Sequence, residues 1–182
     1  MRSGATAISV RSFSIFTLLV LAGCGIDQGG APAPTAGAPA ASASEMLVIG
    51  PITGFGSVIV NGLTLQTGAA DILVDGNPVS ESVLREGQII RAVATVTSSS
   101  LNAISIEYQE NVRGPVATLD AAAGTITVLG QRVQTNAQTV FDIGGGSSLN
   151  DLALPARVEV SGFRLPNGSL LATYIGVVAV TD

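Results

Sequence analysis

The stretch GSVIVNGLTLQT, from Gly56 to Thr67, returns in altered form as GTITVLGQRVQT, from Gly124 to Thr135. Each copy alternates apolar and polar residues on both sides of a short turn, Asn61-Gly62 in the first. Period 2 around Asn-Gly predicts a β-hairpin, because both turn residues must accept positive φ. The neighbouring segments return as well. Gly50-Pro51-Ile52 answers to Gly114-Pro115-Val116, Ile90-Arg91-Ala92 to Val158-Glu159-Val160, and Leu101-Asn102-Ala103 to Leu170-Leu171-Ala172. The offset stays near about 68 residues, as expected of one structural unit used twice. An insertion around Leu119 to Ala122 accounts for the shorter offset at the Gly-Pro pair.

A unit of about 65–70 residues with about six short strands closes most economically into a small barrel or a tightly curled sheet filled by its own side chains. Closure removes exposed strand edges. The expected fold is therefore all-β, with two tandem small barrels. The interior of the first copy is read as Val58, Val60, Leu63, Leu65, Val74, Ile90, Ile104 and Ile106. The matching set in the second is Ile126, Val128, Val133, Val140, Val158, Val160, Ile175 and Val177. A helical core is excluded, because no window sustains a 3.6-residue period and glycine interrupts each candidate. Only Val83 to Gly87 reads as a single helical turn. An immunoglobulin-like sandwich spanning both copies is the main alternative, and the internal repeat argues against it.

The first residues read differently. Arg2 and Arg11 precede an apolar run from Phe13 to Leu21. A bilayer-spanning helix needs about 20 apolar residues, and this run is about half that. Residues 1–23 thus read as a secretory signal. Leu21-Ala22-Gly23-Cys24 resembles the bacterial lipobox, which implies a diacylglycerol on the Cys24 thiol and cleavage before it. Cys24 is the single cysteine, so no intrachain disulfide is available. Gly25, in place of the aspartate that resembles an inner-membrane retention signal, favours the outer membrane. Residues 24–46, rich in Ala, Pro, Gly and Ser, read as a disordered tether that cannot offset its ordering entropy. The repeats are then placed at 47–110 and 111–182.

The Gly-Pro-Ile or Gly-Pro-Val opening, Gly-Ser-Val-Ile-Val-Asn-Gly, Glu-Gly-Gln at 86–88, Val-Glu-Val-Ser-Gly at 158–162 and Gly-Ser-Leu-Leu-Ala at 168–172 together resemble a bacterial family of exported lipoproteins. That family is built from such repeats and is defined only as a domain of unknown function. The resemblance spans 47–180 and implies barrels similar to the oligonucleotide/oligosaccharide-binding (OB) type, with no activity attached. The second copy departs from it at Leu154-Pro155-Ala156, where the turn must differ.

Composition excludes several chemistries. The chain has no histidine and no lysine, which removes the imidazole base and Ser-Lys or Schiff-base catalysis. Loss of Arg2 and Arg11 with the signal takes the net charge from −5 to −7, a surface that repels nucleic acid. Paired carboxylates remain. Asp75 and Asp142 read as equivalent positions after a strand, although turn formation explains each. Asp75-Gly76-Asn77 with Glu81 offers oxygen ligands for calcium, but Pro78 breaks the EF-hand pattern. Gly144 to Ser148 lacks the lysine of a phosphate loop and reads as a loop. Arg91, Arg113, Arg132, Arg157 and Arg164 read as solvated or as lining a ligand surface. The expectation is a non-catalytic envelope lipoprotein, anchored through Cys24 in the outer membrane, that binds or scaffolds a protein or glycan partner. No catalytic residue, metal, cofactor or nucleic acid is expected. A carboxylate-dependent hydrolase of envelope polysaccharide and a structural spacer are the alternatives.

Overall fold

The computed structural model describes residues 44–179. The signal, Cys24 and nearly all of the tether lie outside the described residues. The first barrel is built from β1 (Ser44–Gly54), β2 (Val58–Val60), β3 (Leu63–Gln66), β4 (Asp71–Val74), β5 (Asn77–Pro78), β6 (Ile89–Val96) and β7 (Leu101–Tyr108). The second comprises β8 (Val112–Asp120), β9 (Thr125–Val128), β10 (Gln131–Gln134), β11 (Val140–Asp142), β12 (Arg157–Arg164) and β13 (Leu170–Val177).

Both barrels close in the same way. In the first the order is β3-β2-β1-β6-β7, and β3 closes the ring by pairing in parallel with β7. In the second the order is β10-β9-β8-β12-β13, with β10 parallel to β13. This is the Greek-key order of an OB-type barrel. The short strands β4 and β11 continue along the same parallel edge of β7 and β13. β1 takes in Ser44 to Met46, assigned above to the tether, because their backbones pair with Val96, Thr95 and Ala94 and need no apolar side chain to do so.

The central hairpins form as the sequence predicts. Asn61 and Gly62 have φ of 53° and 75°, and Leu129 and Gly130 have 47° and 81°. The strand leading into each hairpin, β1 or β8, carries a bulge, at Ile52–Gly54 and at Val116–Thr118. The insertion at Leu119 to Ala122 lengthens the β8–β9 pair, which reaches as far as Asp120 with Thr125. Among the described residues, helical content is limited to two 3-10 turns, Glu81–Val83 and Leu149–Asp151. The first begins before the turn expected at Val83 to Gly87. Gly87 instead enters β6 at a φ of 84°, while the corresponding turn of the second copy carries a cis Leu154–Pro155 peptide.

Each barrel has its own apolar core. Val58, Val60, Leu65, Ile90 and Ile106 fill the first, and Ile126, Val128, Val133, Val158, Val160 and Ile175 the second. Val74 and Val140 are only partly buried. Three expected core residues are exposed instead: Leu63, Ile104 and Val177. Leu63 sits beside the hairpin turn, at the rim. Ile104 is displaced by a bulge. Val93 pairs with Ser105 and Ala94 with Ala103, so Ile104 is the extra residue and Ala103 takes the inward place. Thr173 is the extra residue at the equivalent place in β13. Val177 stands at a barrel mouth that no other described residue covers.

Candidate functional site

The barrels meet at a polar junction. The backbone N–H of Ile89 donates to Ser161 Oγ at 2.9 Å, and Gln88 Nε2 donates to Glu159 at 3.4 Å. Arg85 pairs with Asp142 at 3.3 Å. Gly87 lies against the carbonyl of Thr173 so closely that a Cβ would collide with it. On the connecting segment, Asn111 donates from its backbone to Val160 and accepts from Gly162 N–H at 2.7 Å, fixing the second barrel to its own entry strand.

Arg113 is the charged centre of this junction. Its guanidinium contacts Glu110 at 2.9 Å, Glu159 at 2.8 Å and Asp75 at 3.4 Å. Burial works to lower the Arg113 value, but Glu110, Glu159 and Asp75 outweigh it and raise the value. Burial first, then the adjacent Asp75 carboxyl, raises Glu110 above the usual carboxylate range. Glu110 Oε2 is buried without a hydrogen-bond partner. The hydroxyl of Tyr108 is likewise buried and unpartnered. Burial first, then the charge of Glu159, pushes Tyr108 and Tyr174 far above the ordinary phenol range.

The paired-carboxylate reading needs correction. Phe141 and Asp142 pair with Ile175 and Gly176, whereas Ile72 and Leu73 pair with Ile106 and Glu107. By register Asp142 therefore answers to Leu73, and not to Asp75. The sequence offset misled because the loop before β11 differs in length from the one before β4. Asp75 occupies the turn after β4 at a φ of 51°, as a turn-forming residue would. Each of the two carboxylates is ion-paired with an arginine, Asp75 with Arg113 and Asp142 with Arg85. Of the proposed calcium set, Glu81 accepts a hydrogen bond from Thr67 Oγ1, and Asn77 Nδ2 donates to the carbonyl of Asp75. In the glycine loop the Asp151 carboxylate accepts from Ser147 N–H, Ser148 N–H and Ser148 Oγ. These bonds, that of the Ser147 backbone foremost, hold Asp151 below the usual carboxylate range.

The remaining arginines divide. Arg91 and Arg157 are exposed on β6 and β12. Arg132 lines a cleft of about 560 Å³ on the second barrel, between the β9–β10 turn and the β12–β13 loop, and Arg164 lies next to it. Gln131, Gln134, Asn167 and Ser169 complete its wall. Arg164 donates to Gln131 Oε1 at 3.2 Å, Gln131 Nε2 donates to Gly168 O at 2.9 Å, and Gln134 Nε2 donates to Ser169 Oγ at 2.9 Å. Gln131 and Gln134 of the lining are thus already held in place, Gln131 by Arg164 and Gly168 and Gln134 by Ser169. In the first barrel the corresponding hairpin presents Leu63 and Thr64, and the opposing loop is Ser98 to Ser100. The sequence signal for the cleft was the substitution of Gln131-Arg132 for Leu63-Thr64, which the repeat alignment contains.

No helix among the described residues is long and apolar enough to cross a membrane. Comparison with curated proteins and with solved structures gives no match. Residues 113–176, nearly the whole of the second barrel, match a family model described as Domain of unknown function (DUF5666).

Proposed function

We propose that this chain is a non-catalytic binding module of the bacterial envelope, anchored through a lipid on Cys24 in the outer membrane, and that the cleft on its second barrel takes a glycan. The observation that carries this reading is the cleft lining. Gln131, Gln134 and Asn167 supply paired donors and acceptors, Arg132 supplies the guanidinium of the lining, and Arg164 stands beside it, bonded to Gln131. Such groups match the hydroxyls and carboxylates of a sugar chain. An apolar ligand would leave them unpaired at a cost of about 1–3 kcal/mol each where they are buried. The absence of histidine and lysine from the sequence supports a non-catalytic role, as do the arginine partners of Asp75 and Asp142.

Two measurements test the proposal. Titration of the full chain with fragments of envelope polysaccharide should give saturable binding that the Arg132→Ala/Arg164→Ala double variant loses and Leu63→Ala keeps. Equal binding by all three proteins would rule the cleft out. Metabolic labelling with a palmitate analogue should mark the wild-type chain and not Cys24→Ala, which should also leave the membrane fraction. Unchanged fractionation of that variant would remove the anchor from the account.

A further inference from the structure

The junction inside the chain has two halves, and each half has an unoccupied counterpart. The first half is a sheet face of the second barrel. Val160 and Ile175 pair and point into the core, so the neighbouring pair, Ser161 and Tyr174, belongs to the outer face. Both are nevertheless buried, because the first barrel covers them. On the first barrel the equivalent core pair is Ala92 and Ile106, and the equivalent outer pair is Val93 and Ser105. Nothing among the described residues covers this face. It carries Leu47 opposite Val93, Ile49 opposite Arg91, and the bulged Ile104. Leu47, Ile49 and Ile104 are 49%, 51% and 42% exposed.

The second half is the mouth of the first barrel. Tyr108, opposite Ile90, closes that mouth and is 2% exposed beneath the second barrel. Val177 stands opposite Val158 at the same place in the second barrel and is 47% exposed. The turn at the mouth follows the same rule. Ile52 N–H donates to Gln88 O, and Val116 N–H to Ala156 O, so Gln88 and Ala156 are equivalent. Glu86 and Gly87 therefore give way to Leu154 and Pro155, both exposed.

The two free surfaces have changed character together. Where the internal junction places Arg113, Ser161 and Thr173, the free face has Ile49, Val93 and Ile104. Where the mouth of the first barrel has the buried Tyr108 and the exposed Glu86, the free mouth has Val177 and Leu154. We infer that these surfaces bind each other between copies of the chain, the mouth of one molecule's second barrel seating on the outer sheet of the next molecule's first barrel. The internal junction is the template for the geometry; apolar residues replace Arg113, Ser161 and Thr173 on the free face, while Arg91 and Glu107 stand at its edge where the junction has Glu159 and Gly176. Joining a face to a different surface is a heterologous contact, which propagates into an open row or closes into a ring. The glycan cleft stays clear of it, since Arg157 and Arg164 lie at opposite ends of β12, roughly 23 Å apart at about 3.3 Å per residue.

The test is photo-crosslinking of the full chain in a bacterial envelope, with a benzophenone amino acid at position 49 and, separately, at position 47. The expected product is a dimer-sized adduct whose linked peptide contains Leu154 or Val177. Val177→Glu in the same chain should reduce its yield about tenfold, the loss that corresponds to about 1.4 kcal/mol of contact energy. Adducts to a different protein, adducts to another peptide of this chain, an absence of dimer from both positions, or a yield indifferent to Val177→Glu would each overturn the inference.

Discussion

The two barrels share strand order, parallel closure, the bulge before the hairpin and the bulge in the last strand. They differ almost wholly in what faces outward. Ile106 and Ile175 are equivalent and both fully buried, whereas Tyr108 and Val177 are equivalent and opposite in exposure. The Arg132 cleft has no basic counterpart in the first barrel, where Thr64 holds the equivalent place. Inward residues answer to the same packing problem in each copy. Outward residues are free to become a junction in one place and a cleft in another.

The strongest way to break this comparison is in the cores. Ile106→Ala and Ile175→Ala should each cost about 3 kcal/mol by loss of buried methyl groups and the cavity left behind. Hydrogen exchange during denaturant unfolding should show each substitution opening its own barrel first. Uniform loss of protection across both would mean that the copies act as one cooperative body.

Gly87→Ala should follow at about 1–3 kcal/mol, because it adds a left-handed backbone to a collision with the Thr173 carbonyl. Gly130→Ala, at a φ of 81° in open space, should cost about 1 kcal/mol or less. Equal midpoints in urea for the two variants would show that the barrels do not bear on each other at Gly87.

Tyr108→Phe should gain about 1 kcal/mol by removing an unpartnered buried hydroxyl. Tyr174→Phe should lose a few tenths, since its hydroxyl donates weakly to Asp142 at 3.4 Å. Thermal midpoints that shift in the same direction for both would refute the distinction.

The smallest effect is the dependence on pH. Glu110 has a raised value in the folded chain, so the native state holds more protons than the unfolded one above pH 4.5, its ordinary value. Its contribution is therefore most favourable at low pH and declines as pH climbs through the raised value. Asp151 acts in the opposite sense: its lowered value gives stability that is present above 3.8 and lost on acidification. Subtracting the urea midpoints of Glu110→Gln from those of the wild type across pH 4–8 should isolate the first slope. A flat difference would remove Glu110 from the junction's electrostatics.

Much of this was legible before any coordinates. The Asn61-Gly62 turn announced the hairpin because few residue pairs accept that backbone, and the repeat located both barrels. Ile104 was misplaced because a bulge changes the alternation of a strand without leaving a mark in residue type. Asp142 was matched to Asp75 because residue offset counts positions along the chain, whereas backbone register counts hydrogen-bonded rows. Tyr108 continued the inward alternation of Ile106, but Glu110 carried no readable signal, since its partner Arg113 and their neighbours Asp75 and Glu159 come from separate stretches of the chain. Gln131 and Arg132 were visible as a departure between copies, but their convergence with Arg164 and Asn167 depends on barrel closure.

By itself the sequence determined the architecture: alternation, turn chemistry and a steady period are local properties, and they suffice to specify two closed β units. Only the tertiary structure decided which of two equivalent residues is buried, because exposure at a barrel mouth depends on whether another body stands over it. That information lies in pairs of distant residues, such as Ile89 with Ser161 and Arg113 with Asp75, and no local pattern encodes it.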